Sequence, residues 1–506
     1  MVSLPRYRVP AAGELAVFLL ALFARLAVVV VSGGFGGNYG YDAGVYFAAS
    51  DALIHGRVPY RDFVLLHPPG LMLALTPFSL LGRLTSDHAG FLAASLAFTT
   101  LGAVNAVLVV RVARKLGLAD RPAWYGGAFY ALWYGAIRAE YLPRLEPLGN
   151  FLLLCGLLAL FAAANTPRSW QLVIGGFAFG AAAAVKIWWT VPLLLVLGWQ
   201  LTGNSRWRRL ALTAAGAAAA LLLINGPFLL LARSEMWQMV VSQQLGRGRD
   251  QSSVSSRLAQ LSGTNYLSGQ LPRPIQVALL ALVAALALAG CVLAWRLAAA
   301  RPVVVLAVVQ ILLLLAAPSW FSFYTDYAGP ALSLTLAAAV GAAARAGTAS
   351  AGRQLMLRYG WLPAAVAALE TVLLMASGRS NVVAPFPRAE LAPAVARTRC
   401  LMSDSAMALI QLNALSRSLS NGCQNWVDVT GRTYGIDRPA AARSAVPRRA
   451  NAQWQRDVRA YLLSGNAVIL IRTDGTGLSP ATTAAVTRGG VIAGADGYRI
   501  YRTGSG

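Results

Sequence analysis

YDAGVYFAASDALIHGRVPYRDFVLLHPPG, residues 41–70, follows closely on the apolar run LAVFLLALFARLAVVVV, residues 15–31. That run is close to the length a helix needs to cross a bilayer, about 20 apolar residues. The polar stretch after it gathers Asp42, Asp51, His55, Arg57, Arg61, Asp62 and His67 into one short segment. It reads either as an ordinary solvated loop between two spans or as a working surface beside the membrane.

Composition decides the broad class. Hydrophobic residues are 57% of the 506 and charged residues only 12%, too apolar for a soluble chain of this length. The formal net charge of +24 rests almost wholly on arginine, the only lysines being Lys115 and Lys186. This arginine and alanine bias fits a GC-rich bacterial genome. No basic helix with interleaved aromatics is present, which sets nucleic-acid binding aside.

Arg6 and Arg8 precede the first run, so the positive-inside bias puts the N-terminus in the cytoplasm. Small residues at 32–34 would also suit a cleaved signal peptide, but the run's length and Arg25 within it favour an uncleaved helix. GLMLALTPFSLLGRL, residues 70–84, is short and carries Pro77 and Arg83, so it is expected to lie at the interface. The next span, 88–110, ends at Arg111, Arg114 and Lys115, a cytoplasmic signature. Residues 33–87 are therefore expected to be one external loop with interfacial helices. The same rule gives spans near 124–137, 148–164, 172–185, 190–201, 210–231, 275–297, 303–317, 331–344 and 361–376. A long polar loop, 234–274, falls between the seventh and eighth. The count is about eleven transmembrane helices on a window argument, with the C-terminus outside.

The expected division is thus a polytopic α-helical membrane domain, residues 1–378, and a small extracytoplasmic (periplasmic) α/β domain, residues 379–506. In the latter, β-favouring runs (467–472, 491–493, 498–501) alternate with helical segments (405–415, 480–487). Cys400 and Cys423 lie in this polar region, spaced as a disulfide could be, which would place it in an oxidising compartment. Cys155 and Cys291 sit inside apolar runs as small core residues. The region has no Gly-rich loop, nucleophile elbow or metal-ligand spacing, so a structural or substrate-handling role is expected of it.

The polar groups of the membrane half fall at one level, the outer face. Asp42 follows the first span, Arg144 and Glu146 the third, and Lys186 the fifth. Arg247, Arg249 and Arg257 lie in the long loop, and Tyr324, Asp326 and Tyr327 follow the ninth span. An enclosed site is the economical explanation, because such groups are otherwise costly at that depth. A carboxylate near a hydroxyl can act as general base, and fixed cations can neutralise a phosphate leaving group. Arginine offers phosphate a fork of paired donors, lysine a compact point charge.

The acidic residue soon after the first span, then GRVPYRDF (56–63) and HPPG (67–70), resembles the GT-C class of membrane glycosyltransferases. Within it the nearest likeness is to the branch with the protein O-mannosyltransferases and the bacterial aminoarabinose transferase. RLEP (144–147) looks like that branch's second acidic motif, AVKIWW (184–189) like its lysine-bearing segment, and FYTDY (323–327) like a segment that commonly has His where Asp326 stands. The resemblance implies transfer of a sugar from a polyprenyl-phosphate donor to a hydroxyl of a glycan, lipid or protein, and the GC-rich composition points to mannose or arabinose as the sugar. The reaction would take place on the outer face of the cytoplasmic (inner) membrane, with inversion.

Asp42 would then be the catalytic base. Lys186, Arg247, Arg249 and Arg257 would hold the donor phosphate, and Arg144, Glu146, His67, Tyr324 and Asp326 would contact substrate. The family often has a second acidic residue beside the first, where this chain has Ala43. A divalent ion is possible but not required by the sequence.

Plain readings stand beside these. Asp42 is placed to cap a helix over 43–55, His67 to fix a turn with Pro68 and Pro69, and Lys186 to snorkel. The loop arginines would be surface charge, and Trp188 and Trp189 interfacial anchors. The rival from another class is a lipid or polysaccharide transporter or flippase without chemistry; it predicts repeated halves and polar residues inside the spans, which the Ala/Leu-rich spans do not offer. A third is a scaffold whose exported domain binds cell-wall polymer.

Overall fold

The computed structural model describes residues 12–165, 168–202, 205–248, 252–346, 358–378, 382–433 and 446–503. Arg6, Arg8 and Arg249 lie outside these. The chain begins with helices α1 (Ala12–Val31), α2 (Tyr41–Ile54), α3 (Gly70–Leu84), α4 (Asp87–Lys115) and α5 (Asp120–Leu132). These are followed by α6 (Tyr134–Glu140), α7 (Leu145–Asn165), α8 (Ser169–Ala183), α9 (Thr190–Gln200) and α10 (Arg206–Leu231). Further long helices are Arg273–Trp295, Arg301–Ala316, Gly329–Ala346 and Leu362–Ala376.

Seven segments are long and apolar enough to cross a membrane by themselves, among them α1, α4, α10 and Arg273–Trp295. Four more apolar helices of 10–17 residues include α3, α8 and Leu362–Ala376. Every expected span but one falls on a single helix, and length and apolarity alone do not single out eleven of them. The expected span 124–137 is broken: α5 ends at Leu132, Trp133 takes an extended conformation, and α6 restarts at Tyr134. α3, at 15 residues and 1.5 Å per residue, is too short to cross a core about 30 Å thick.

Arg25, inside α1, is fully buried and would be costly alone in lipid. Its guanidinium pairs with Glu140 of α6 and donates to the carbonyls of Ala21 (2.9 Å) and Ala131 (3.2 Å). Glu140 also accepts from Asn105 Nδ2 (2.7 Å) and from the Tyr130 hydroxyl (2.9 Å). The charge is thus matched and hydrogen-bonded, the condition under which a buried ion pair is tolerated.

The C-terminal region forms a four-stranded sheet of order β1-β2-β4-β3: β1 Leu401–Ser403, β2 Ala467–Ile469, β3 Val491–Ala495, β4 Tyr498–Arg502. β1 and β2 are parallel, and the other two pairs antiparallel. Three strands fall where the alternation places them; β1 is too short to announce itself. Cys400 and Cys423 form a disulfide.

The first loop and the C-terminal region share one apolar core, which joins Phe47, Ala48, Tyr60 and Leu71 to Leu401, Met407, Ile410 and Leu415. Gly44 permits the contact, because a Cβ there would stand 2.9 Å from the Met407 amide nitrogen. Asn38 and Ala384 also pair through both main-chain hydrogen bonds (2.7 and 2.9 Å). The second core lies within the helical bundle around Trp133, Trp189 and Tyr327.

Candidate active site

α2 opens on Gly40, whose φ of 90° is strained for any residue with a Cβ. The helix begins at Tyr41, two residues before the start expected from sequence. Asp42 therefore sits in its first turn and makes no capping hydrogen bond. A carboxylate here is favoured by the helix's positive end and looks into a cavity of about 100 Å³.

Seven separate stretches of chain build that cavity. α2 gives Tyr41, Asp42 and Tyr46, and the loop before α3 gives Leu65, Leu66 and His67. Leu145, Arg247 and the aromatic group Phe321, Phe323 and Tyr324 complete the membrane half's share. The C-terminal region adds Asp428, Thr430, Gly431 and Arg448. Burial pushes the Asp42 carboxyl above its ordinary value; Arg144, Arg247 and Arg472 pull it back down, while Asp428 pushes it further up. Burial, with Lys186 and Arg247 nearby, holds His67 well below the usual imidazole range, so its ring is neutral. The His67 ring meets Tyr46 edge-on at 5.9 Å, and its carbonyl accepts from the Tyr60 hydroxyl (2.8 Å).

Behind this lining lies a second layer. Lys186 is buried, ion-paired with Glu146 (2.8 Å), and stands 4.0 Å from the ring centres of both Trp188 and Tyr324. Arg144 lies over Phe323 (4.5 Å) and Tyr141 (5.3 Å), and its Nη1 donates to the Arg138 carbonyl (2.6 Å). The cations thus brace the aromatic wall from behind. Lys186 does not snorkel, and Trp189 is buried rather than interfacial.

Of the residues singled out from sequence, Asp42, His67, Arg247 and Tyr324 line the cavity, and Arg144, Glu146 and Lys186 stand behind it. Arg257 is elsewhere: its Nη1 donates to the carbonyls of Leu314, Leu315 and Ala317 (3.2, 3.2 and 2.6 Å), capping the helix Arg301–Ala316. Asp326 is buried in the bundle, its carbonyl accepting from Asn150 Nδ2 (2.8 Å), and does not line the cavity. Arg249 lies outside the described residues. No group of three or more His, Cys, Asp or Glu suited to a metal ion occurs among the described residues.

Sequence reasoning missed the C-terminal contribution. The Tyr41 hydroxyl donates to Asp428 Oδ1 (2.8 Å) and accepts from the Thr430 amide (2.9 Å). Arg472 lies over the Tyr41 ring at 4.2 Å. Asp428 Oδ1 also takes the Gly431 amide (2.7 Å), closing a tight turn. The only local signal is the turn-forming DVTG at 428–431, which says nothing about what the turn meets.

No curated protein matches the chain. Among solved structures, ArnT from Cupriavidus metallidurans in the apo state superposes with a TM-score of 0.60 at 16% identity, over 97% of this chain and 98% of that one. The same enzyme bound to undecaprenyl phosphate gives 0.60 at 16%, over 96% and 97%. The oligosaccharyltransferase of Archaeoglobus fulgidus gives 0.56 at 14%, over 94% of this chain and 73% of that one. The fold is thus the GT-C membrane fold. The model of glycosyltransferase family 87 matches residues 65–318, half of the chain and the part that carries the cavity from Leu65 to Arg247, so this membrane protein belongs to glycosyltransferase family 87.

Proposed function

We propose that the protein transfers a sugar, mannose or arabinose, from a polyprenyl-phosphate donor to an acceptor hydroxyl on the outer face of the cytoplasmic membrane. The observation that carries this reading is a carboxylate, Asp42, facing a cavity that also receives Arg247, Arg448 and Tyr324. The bound carrier lipid in the undecaprenyl-phosphate complex of ArnT, a protein of the same fold, supports the donor class.

In this mechanism the acceptor oxygen attacks the anomeric carbon while Asp42 takes the hydroxyl proton. The bond from the anomeric carbon to the phosphate oxygen breaks, and polyprenyl phosphate leaves with the electron pair. A single in-line displacement inverts the anomeric centre. Arg247 with Tyr324 binds the phosphate; Lys186 adds its field from behind while Glu146 fixes its position. Arg144 holds the aromatic wall in place. Neutral His67 offers a hydrogen bond to substrate, its Nδ1 having no partner among the described residues.

The N-terminus is cytoplasmic in this reading, and residues 379–506 form an extracytoplasmic domain over the catalytic domain, residues 1–378. The disulfide supports that side for residues 400–423.

The test is radiolabel transfer in membranes from cells lacking the protein, complemented by wild type or by Asp42→Asn. Polyprenyl-phosphate mannose and arabinose are supplied in turn. Label with wild type but not with the variant supports the reading and names the donor; equal label at equal protein level removes it.

A further inference from the structure

The two parallel strands of the C-terminal sheet, β1 and β2, run side by side, and the segments that follow them are tied together by one carboxylate. Asp404, the residue after β1, is fully buried and accepts from the main-chain amides of Ile471 (2.8 Å) and Arg472 (2.9 Å) and from the Thr476 hydroxyl (3.3 Å). A buried carboxylate satisfied in this way fixes the backbone that donates to it. The carboxyl ends of parallel strands are where open α/β sheets present their binding groups. Here that end presents Arg472 to the membrane half.

The guanidinium lies over the Tyr41 ring, 4.2 Å from its centre. Gly475 leaves room for it, since a Cβ there would stand 3.2 Å from Nη2. Nη1 is buried and has no hydrogen-bond partner among the described residues. The sheet itself uses only the main-chain amide of residue 472, which any residue but proline supplies. The side chain is therefore not explained by the fold of the C-terminal region.

Tyr41 precedes Asp42 in the first turn of α2, and its hydroxyl is fixed by Asp428 and by the Thr430 amide. With Arg472 on its ring, the Tyr41 side chain is held at both ends. Around the Asp42 carboxyl stand Tyr46 of the same helix, Arg144, Lys186, Arg247 and Tyr324 of the membrane half, and Asp428 and Arg472 of the C-terminal region. The last two bear on Asp42 with opposite charge, one from the hydroxyl end of Tyr41 and one from its ring.

We propose that Arg472 is a positioning residue for the transfer: seated on the Tyr41 ring, it fixes the start of α2 so that Asp42 faces the cavity, and it sets a positive charge near that carboxylate. The inference rests on the reading of Asp42 as base. It adds a residue of the C-terminal region that acts on the base through Tyr41 and through its charge. A neighbouring cation favours the carboxylate over the acid, and a base works only when deprotonated.

The experiment uses full-length protein in nanodiscs. The donor is the labelled polyprenyl-phosphate sugar that wild type accepts, and the acceptor probe is the lipid and glycan fraction extracted from membranes of cells lacking the protein. Arg472→Gln should carry the acid limb of kcat to higher pH, with the donor KM unchanged. Arg472→Lys, which keeps the charge, should return the limb toward its wild-type position. A limb unmoved in Arg472→Gln, or moved as far in Arg472→Lys, overturns the proposal and leaves the transferase reading intact. Absence of transfer by wild type, or equal transfer by Asp42→Asn, overturns that reading and this one with it. Both substitutions keep the amide that Asp404 holds. If Arg472→Gln does not elute as a single species, Arg472→Met is read in its place; failure of both makes Arg472 a folding residue and overturns the proposal.

Discussion

The Tyr41 hydroxyl lies 2.8 Å from Asp428 Oδ1 across 387 residues of chain, and Tyr41 is the immediate neighbour of Asp42. The residue proposed as base is thus held in place by the C-terminal region, not by the membrane helices alone.

Asp42→Asn removes the proposed base while keeping the shape of the side chain. Transfer should fall by about 10²- to 10⁴-fold, the usual contribution of a positioned base, with the elution profile and thermal midpoint unchanged. Initial rates at saturating donor and acceptor check this.

Asp428→Asn should move the pH profile. Burial chiefly raises the Asp42 carboxyl, and the Asp428 charge raises it further. A base works only when deprotonated, so a raised value starts the loss of activity at higher pH as the solution is acidified. Removing the Asp428 charge lowers the Asp42 value and should carry the acid limb of kcat to lower pH. A uniform loss of rate with an unmoved limb would reduce Asp428 to a merely structural part.

Glu146→Gln leaves Lys186 as a buried charge without its counter-ion. Breaking such a pair costs about 3–5 kcal/mol, read as a lower unfolding midpoint in detergent. The double variant Glu146→Gln with Lys186→Met should recover most of that loss, because no lone charge remains. A double variant as unstable as the single one would show that packing, not charge, is responsible.

Asp51 gives a stability test. It is buried beneath the C-terminal region, with the Ser416 hydroxyl 3.0 Å from both carboxyl oxygens. Burial first, and then Asp87, push its carboxyl up to about 8. The folded protein therefore binds this proton more tightly than the unfolded chain does. The contribution is fully present below about pH 4, the unfolded value, and is lost as pH rises through about 8. Unfolding midpoints of wild type should decline over that window, and Asp51→Asn should flatten the decline.

Cys400→Ser with Cys423→Ser should destabilise the C-terminal region by about 3 kcal/mol, the loop-closure entropy expected for a ring of this size. Hydrogen exchange in residues 401–403 and 467–469 would report it, because β1 and β2 begin beside the disulfide.

Much of this was legible in sequence for a physical reason. Spans declare themselves by unbroken apolar length, and Asp42, Arg247 and Tyr324 each lie in a polar stretch that follows such a span, so the bilayer itself brings them to one side. What chain order cannot convey is facing and pairing. Lys186 reads as a cation at a span end, and only the folded chain shows Glu146 against it. Arg257 reads as one of three loop arginines, yet it turns inward to cap a helix. Asp428 lies in a region with no catalytic motif and reaches the cavity only because α2 packs on the segment after β1. The break at Trp133 was equally hidden, since a residue of good apolarity continues the pattern while the backbone departs from it.

The Arg25 and Glu140 pair has a consequence for how the protein is made. The two residues are separated by 115 positions, so the first helix leaves the ribosome well before its counter-charge. On insertion scales a lone arginine at mid-helix costs about 2.5–3.5 kcal/mol. Until Glu140 emerges, that helix is better accommodated at the protein-lined exit of the insertion machinery than released into lipid. A charge satisfied only by a later segment thereby sets an order of assembly, keeping the amino-terminal helix waiting for the part of the bundle it must join.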